Sequence, residues 1–407
     1  MMKSEILKSS IQISLSLLAI LLLCVNCTQP RQRVEENGIT TIDVIGNISN
    51  THKVNLSSIA SSIEYCMLES NEQCFIAGER IYSSGDCFVA MDRDRCYVFE
   101  RKTGKFVRQI SQIGQGPNDY QNTATVLECD NGQICLMGNN QLLFFNLDGS
   151  LSHKTKHFAN FFKSYKDLYV CYFSNGSGDL TIRIAFYDNK TGERIDTIPN
   201  YRFFKREKGR PYSSGNDFSL YQFNNGLYCK DIYCDTLYQI DNFSLEPRYI
   251  FNTGGRAVPY EKQIEGRTDY QAQMAGREYD RYAKYIVIQR IMEDAYFLYF
   301  TIENRNSMYP VIYNKFQEKI HIMPPHPTPF SLGDGKPPLF GFENDLDGGL
   351  PFWPQQMISD KEMMCVYSVE KLMELDSSKI SDEKLKNVLH HLEENSNPIV
   401  AIVTLKD

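Results

Sequence analysis

The sequence predicts an all-β fold: a six-bladed β-propeller whose ring is closed by strands from the two chain ends, with a small helical insertion. Three observations carry that prediction. Aromatic strand formers are abundant, 25 Tyr and 24 Phe against one Trp in 407 residues, whereas apolar residues at helical spacing are scarce. A unit of apolar strand, polar turn and second strand recurs along the chain, as radial repetition requires. The chain also ends in a continuous apolar strand, Pro398 to Leu405, with an early counterpart, Thr40 to Ile45.

The elements follow in chain order. Lys3 and Lys8 precede an uncharged, largely apolar run from Ile11 to Val25, the pattern of an export signal. That run is shorter than the roughly 20 apolar residues of a membrane span and ends at Cys24-Val25-Asn26-Cys27 before polar Thr28. A cysteine there suits a lipoprotein. Residues 1–26 read as a cleaved signal peptide, Cys27 as the lipidated residue with Cys24 as the alternative, and 27–38 as a tether too polar to pack. Two or more acyl chains would hold the protein stably at a membrane. An ordinary secretory peptide with two incidental cysteines is the competing reading.

The domain proper is then 39–407. Five repeat copies occur: Tyr97 to Lys105, Leu143 to Ser150, Ala185 to Glu193, Leu237 to Phe243 and Val311 to Glu318. A second short strand lies ahead of each, and the two make a hairpin within one blade. A sixth, less regular unit has the strand Glu362 to Tyr367 and then a helix-like stretch, Ser381 to Glu394. A single blade cannot bury both faces of its sheet, so the blades must pack around an axis and the ring must close. One blade is expected to combine Thr40 to Ile45 with Pro398 to Leu405.

Composition excludes several functions. The net charge of -7 is spread along the chain with mixed signs, so no nucleic-acid footprint is present. Ten of the twelve cysteines lie beyond Cys27 in a chain too long to need stapling, and most are expected as small buried hydrophobes. Cys129 with Cys135 and Cys229 with Cys234 flank turns and could face each other across hairpins. The seven His form no His-Glu-x-x-His pattern, no Gly-x-Ser-x-Gly elbow occurs, and the only Cys-x-x-Cys lies in the signal. No cofactor or metal is expected.

Two segments stand out as candidate sites. Pro324 to Pro354 is rich in Pro, Gly and aromatics, and a loop of that length is often functional. Phe352 and Trp353 with Glu343, Asp345 and Asp347 could stack on a sugar ring and accept its hydroxyls. The plainer reading makes the rings a plug between blades and the acids solvated. The acids also copy the spacing of a calcium loop, but Pro354 stands where its closing Glu would fall. Between Pro259 and Tyr285, mixed charges (Glu265, Arg267, Arg277, Glu278, Asp280) interleave with Tyr260, Tyr270, Tyr279 and Tyr282, as in a partly helical insertion covering one end of the ring.

Gly104 to Ile110, followed by Ile113-Gly-Gln-Gly-Pro-Asn-Asp-Tyr120, and Asn397-Pro398 before the last strand carry a family likeness. On these residues the chain resembles the six-bladed β-propeller lipoproteins common in Bacteroides and relatives, a group distantly similar to NHL-type propellers. The resemblance implies an outer-membrane lipoprotein on the periplasmic or cell-surface side, and no shared catalytic residues. The expected function is a membrane-anchored binding or scaffold protein for a glycan, peptide or protein partner. An extracellular enzyme with catalytic acids drawn from different blades is the alternative.

Overall fold

The structure is a computed structural model. It describes residues 39–406 apart from 77, 79, 93–94, 117–118, 121–124, 131, 139–140, 201, 206–217, 265–280, 328–338, 377 and 379. The signal, Cys24, Cys27 and the tether lie outside the described residues, as do Glu265, Arg267, Tyr270, Arg277, Glu278, Tyr279 and Asp280 of the expected insertion.

The chain begins with β1 (Thr40–Asp43) and β2 (Ala60–Met67), then builds six sheets. Blade 1 is β3 (Ile81–Ser84), β4 (Cys87–Asp92), β5 (Arg95–Glu100) and β6 (Phe106–Gln112). Blade 2 is β7 (Thr125–Asp130), β8 (Gln133–Gly138), β9 (Gln141–Asn146) and β10 (Leu151–Lys154). Blade 3 is β11 (Phe161–Tyr165), β12 (Leu168–Tyr172), β13 (Ile182–Asp188) and β14 (Arg194–Pro199). Blade 4 is β15 (Phe218–Phe223), β16 (Gly226–Asp231), β17 (Thr236–Asp241) and β18 (Ser244–Asn252). Blade 5 is β19 (Val287–Glu293), β20 (Phe297–Asn304), β21 (Ser307–Asn314) and β22 (Lys319–Ile322), with the two-residue β23 (His326–Pro327) against β21. Blade 6 has β24 (Gln356–Ser359), β25 (Glu362–Tyr367) and β26 (Ile399–Leu405), and β2 is its outer strand.

Each four-stranded antiparallel meander returns the chain to the side on which it started. The turns from first to second and from third to fourth strand therefore collect on one face of the ring. The connections from blade to blade, and the β25–β26 connection with α1 (Val369–Met373) and α2 (Glu383–His390), collect on the other. The helical insertion expected at Pro259 to Tyr285 shows a 3-10 turn, Tyr260–Ile264, among the described residues; the two described α-helices belong to blade 6 instead.

Six apolar clusters fill the six seams between blades. In β8, Ile134 and Leu136 pack toward Val89 and Val98 of blade 1, whereas Cys135 joins Phe162 and Cys171 of blade 3. A strand covered on both faces needs no polar alternation, which explains the continuous apolar runs at β5, β9 and β26. The innermost strands β3, β7, β11, β15, β19 and β24 touch in that cyclic order. Their inner edges have no strand neighbour, so side chains from the next blade satisfy them. Gln356 accepts from Ser83 N–H at 2.9 Å and donates to Ser83 C=O at 3.1 Å. Ser164 N–H donates to Glu128 at 2.7 Å, and Ser164 C=O accepts from Gln222.

Ring closure differs from the sequence expectation. β26 pairs antiparallel with β2 from Ala60↔Leu405 to Met67↔Ile399, not with Thr40 to Ile45. β1 instead lies parallel to β18 as a fifth strand on blade 4. Eight-residue β2 can span seven-residue β26, whereas β1 has four residues. The chain after β1 forms a belt over the outer edges: His52 N–H bonds Ile322 C=O at 3.0 Å, and Glu343 N–H bonds Val54 C=O at 2.8 Å. Fully buried Asn397 pins the closure, accepting from Ile76 N–H at 2.7 Å and donating to Glu69 C=O at 2.6 Å and Cys74 C=O at 2.8 Å.

The nine described cysteine side chains, Cys229 and Cys234 among them, are thiols. The register pairs Cys129 with Ile134 and Glu128 with Cys135, so Cys129 and Cys135 are not partners across the hairpin.

Candidate functional site

On the face that carries the blade-to-blade connections, between blades 3 and 4, the chain forms a small cleft of about 20 Å³, room for one water. Tyr172 ends β12, Arg183 lies early in β13 and Asp231 ends β16. Asn175, Asn200, Arg202, Tyr233, Cys234 and Tyr260 come from the connections that follow β12, β14, β16 and β18. Four separate loops thus meet at one place because blades 3 and 4 bring their strand ends there together.

At its base Arg183 and Asp231 form an ion pair, 6% and 9% exposed. The second carboxylate oxygen, Asp231 Oδ1, is buried without a hydrogen-bond partner. A buried acceptor left unmade costs about 1–3 kcal/mol, so this atom calls for a donor from outside the fold. Behind it, buried Lys230 donates to Asp231 C=O at 2.9 Å and Ile288 C=O at 3.3 Å, and burial pushes its amine below the usual lysine range against the pull of the Asp231 charge.

Aromatic rings and amides make the walls. Tyr233 meets Tyr260 edge to face at 5.7 Å, and the Arg202 guanidinium sits 5.2 Å from the Tyr260 ring centre. Asn175 donates to the Tyr260 hydroxyl at 3.3 Å and to Arg202 C=O at 3.2 Å, which fixes the roof. Tyr172 stacks on Phe218 at 3.7 Å along the blade seam. Leu180 and Phe203 stand exposed on the two loops beside the cleft.

The residues singled out in the 324–354 segment lie elsewhere, at the seam of blades 5 and 6. Phe352 is fully buried and Trp353 is 6% exposed, stacked on Phe342 at 5.9 Å and set edge-on to Tyr299 at 6.4 Å. Both side chains lie in the apolar core of that seam. Glu343 pairs with Lys53 of the belt. Asp345 accepts from Ser57 N–H at 2.9 Å and Ser57 Oγ at 2.5 Å; slight burial raises its pKa, but these bonds hold it below the usual range. Asp347 is 4% exposed, takes one bond from Gly349 N–H at 2.8 Å, and is pushed up by burial. The three carboxylates occupy three environments. Among the described residues no three His, Cys, Asp or Glu side chains converge as metal ligands, the 343–348 segment included.

The cleft has no linear motif, since its residues run from Tyr172 to Tyr260 through four connections. One signal was available: Arg183 interrupts Ile182-Arg183-Ile184-Ala185-Phe186, and Lys230-Asp231 follow Leu227-Tyr228-Cys229. A charge inside a strand that is otherwise apolar marks a place where the fold gives up local consistency.

A family model described as a domain of unknown function, DUF4934, matches residues 39–404. Among solved structures, a Bacteroides fragilis protein assigned to export by its description is similar to the chain over 91% of its length and 100% of that chain, at 18% identity and a TM-score of 0.63. The AfRom2 CNH domain matches 84% of the chain and 98% of its own length at 12% identity and a TM-score of 0.37. No curated protein matches the sequence. The Bacteroides structure, at that identity, bears on the fold.

Proposed function

The chain belongs to the DUF4934 family, a domain of unknown function that here takes in the whole ring, and from that premise we propose that it is an exported binding protein, anchored through Cys27, that holds a peptide segment in the cleft between blades 3 and 4. The observation that carries the reading is Asp231 Oδ1, a buried acceptor without a partner at the base of an aromatic cleft. A ligand N–H group would satisfy it, Tyr233 and Tyr260 would cover an apolar side chain, and Arg202 would meet a carbonyl or carboxylate. Exposed Leu180 and Phe203 favour a peptide over a glycan, because apolar rim contacts suit side chains better than hydroxyls. Export is supported by the signal-like start and by the description of the Bacteroides relative. No described helix is long and apolar enough to cross a membrane, and a lipid on Cys27 would supply the anchor.

Binding of the full chain to peptide and oligosaccharide arrays tests the reading. Peptides retained by the wild type should be lost at least tenfold in Arg202→Ala and Phe203→Ser, both exposed positions, and kept in Asp345→Ala. Retention unchanged in the first two variants, or confined to oligosaccharides, would sink it.

A further inference from the structure

The fold brings together two imidazoles that stand 269 residues apart in the chain. His52 Nε2 lies 2.9 Å from His321 Nδ1, with ring centres 5.2 Å apart and ring planes at 73°. Both backbones are fixed. His52 N–H bonds Ile322 C=O, Thr51 bridges Ile322, and His321 pairs with Ile312 inside blade 5. We propose that His52 and His321 form a surface site for a nitrogen-preferring divalent transition metal, Ni²⁺ or Cu²⁺, with water completing the coordination shell.

The distance favours this class. Two imidazole nitrogens about 2.0–2.1 Å from one metal lie about 2.9 Å apart at a right angle and about 3.3 Å apart in a tetrahedron. The observed 2.9 Å matches the separation of a right-angle ligand pair, and a turn of the two rings about their side-chain bonds aims both lone pairs at one octahedral or tetragonal ion. The proton now shared between the rings sits on one of the two facing nitrogens. On metal binding that ring takes its other tautomer, so both neutral rings turn a lone pair to the ion and no net proton is released. Burial, then the neighbouring His52 and Lys319, holds His321 below the usual histidine range. Lys319 is exposed, and solvent screens its repulsion of the ion. A metal held by both rings ties the belt to blade 5, so uptake stabilises the folded chain. The site is on the outer rim and stands apart from the cleft.

The test is titration of the full chain with NiCl₂ at pH 7.5, by calorimetry and by thermal melting with and without the ion. The expected result is one saturable site, a raised melting temperature, and at least tenfold weaker uptake in His52→Gln and in His321→Gln, whose side chains keep a hydrogen-bonding tip. Lys319→Ala should bind as well as the wild type or better, and uptake should vanish at pH 5. No saturable uptake by the wild type overturns the proposal. So does uptake unchanged in both glutamine variants, which would assign it to other groups such as His390 and His391.

Discussion

At the scale of single residues, buried polar atoms decide more than apolar ones. Asn397 satisfies the Ile76 N–H and the carbonyls of Glu69 and Cys74 in the closing seam. At about 1–3 kcal/mol for each buried group left unmade, Asn397→Ala should cost about 3 kcal/mol or more by urea denaturation, and Asn397→Asp should not rescue it, because a carboxylate cannot donate. Asp347 behaves in the opposite way. Burial raises its folded pKa above the unfolded value, so its contribution is fully present below the ordinary carboxylate range and is lost as pH rises through the folded pKa. Asp347→Asn keeps the bond from Gly349 and removes the buried charge. We expect it to be more stable than the wild type near pH 8, by the order of 1 kcal/mol, with the gain fading toward pH 4; a stability difference that is flat with pH would contradict this. The polar residues of the cleft were the least legible in the sequence, since Arg183, Asp231 and Tyr260 meet only after three separate strands have paired.

At the scale of elements, the recurring turn joins the third and fourth strands of a blade. In three repeat copies a glycine takes a left-handed conformation, Gly104, Gly149 and Gly192, with φ of 70°, 84° and 71°. A Cβ on Gly104 would overlap the Met67 carbonyl oxygen of the preceding blade, whereas Gly132, at φ 75°, has open space around it. Gly132→Ala should therefore cost about 1–2 kcal/mol, the conformational term alone, and Gly104→Ala clearly more, as read from melting temperatures. The fourth copy, the weakest match, has no glycine. Asn242 and Phe243 take positive φ of 44° and 60°, and the Phe243 ring packs on Phe186 of blade 3 at 5.0 Å. The repeats were legible because the inner-sheet strands are apolar and end in such turns. The innermost strands were not, since Ile81-Tyr-Ser-Ser84 and Phe161-Phe-Lys-Ser-Tyr165 carry the polar groups that stitch neighbouring blades. β2 escaped for a related reason: as an outer strand it alternates exposed Ser62 and Glu64 with half-buried Ile63 and Tyr65, and such a strand reads as a loop.

At the scale of the whole molecule, each seam needs both of its blades, so the ring should unfold as one unit. Trp353, the single tryptophan of the chain, is buried between blades 5 and 6, so its fluorescence reports that seam. Its fluorescence and the far-ultraviolet circular dichroism should change at the same urea concentration; separate transitions would show that blade 6 opens first. The parity of the meanders puts every blade-to-blade connection on one face of the ring, and the cleft lies on that face. Fold class and blade number follow from composition and repeat, both local in the chain. Which face carries a site depends on how the strands are ordered, and that is a property of the closed ring.

The claim that the face of the blade-to-blade connections holds the ligand is tested most directly by site-specific photo-crosslinking in cells. The photoreactive residue p-benzoylphenylalanine replaces Phe203 beside the cleft or Phe316, an exposed residue of a tight turn on the opposite face. The account predicts a discrete crosslinked species from position 203, lost when Arg202→Ala is added, and none from position 316. Crosslinking from position 316 alone would contradict it and move the site to the opposite face.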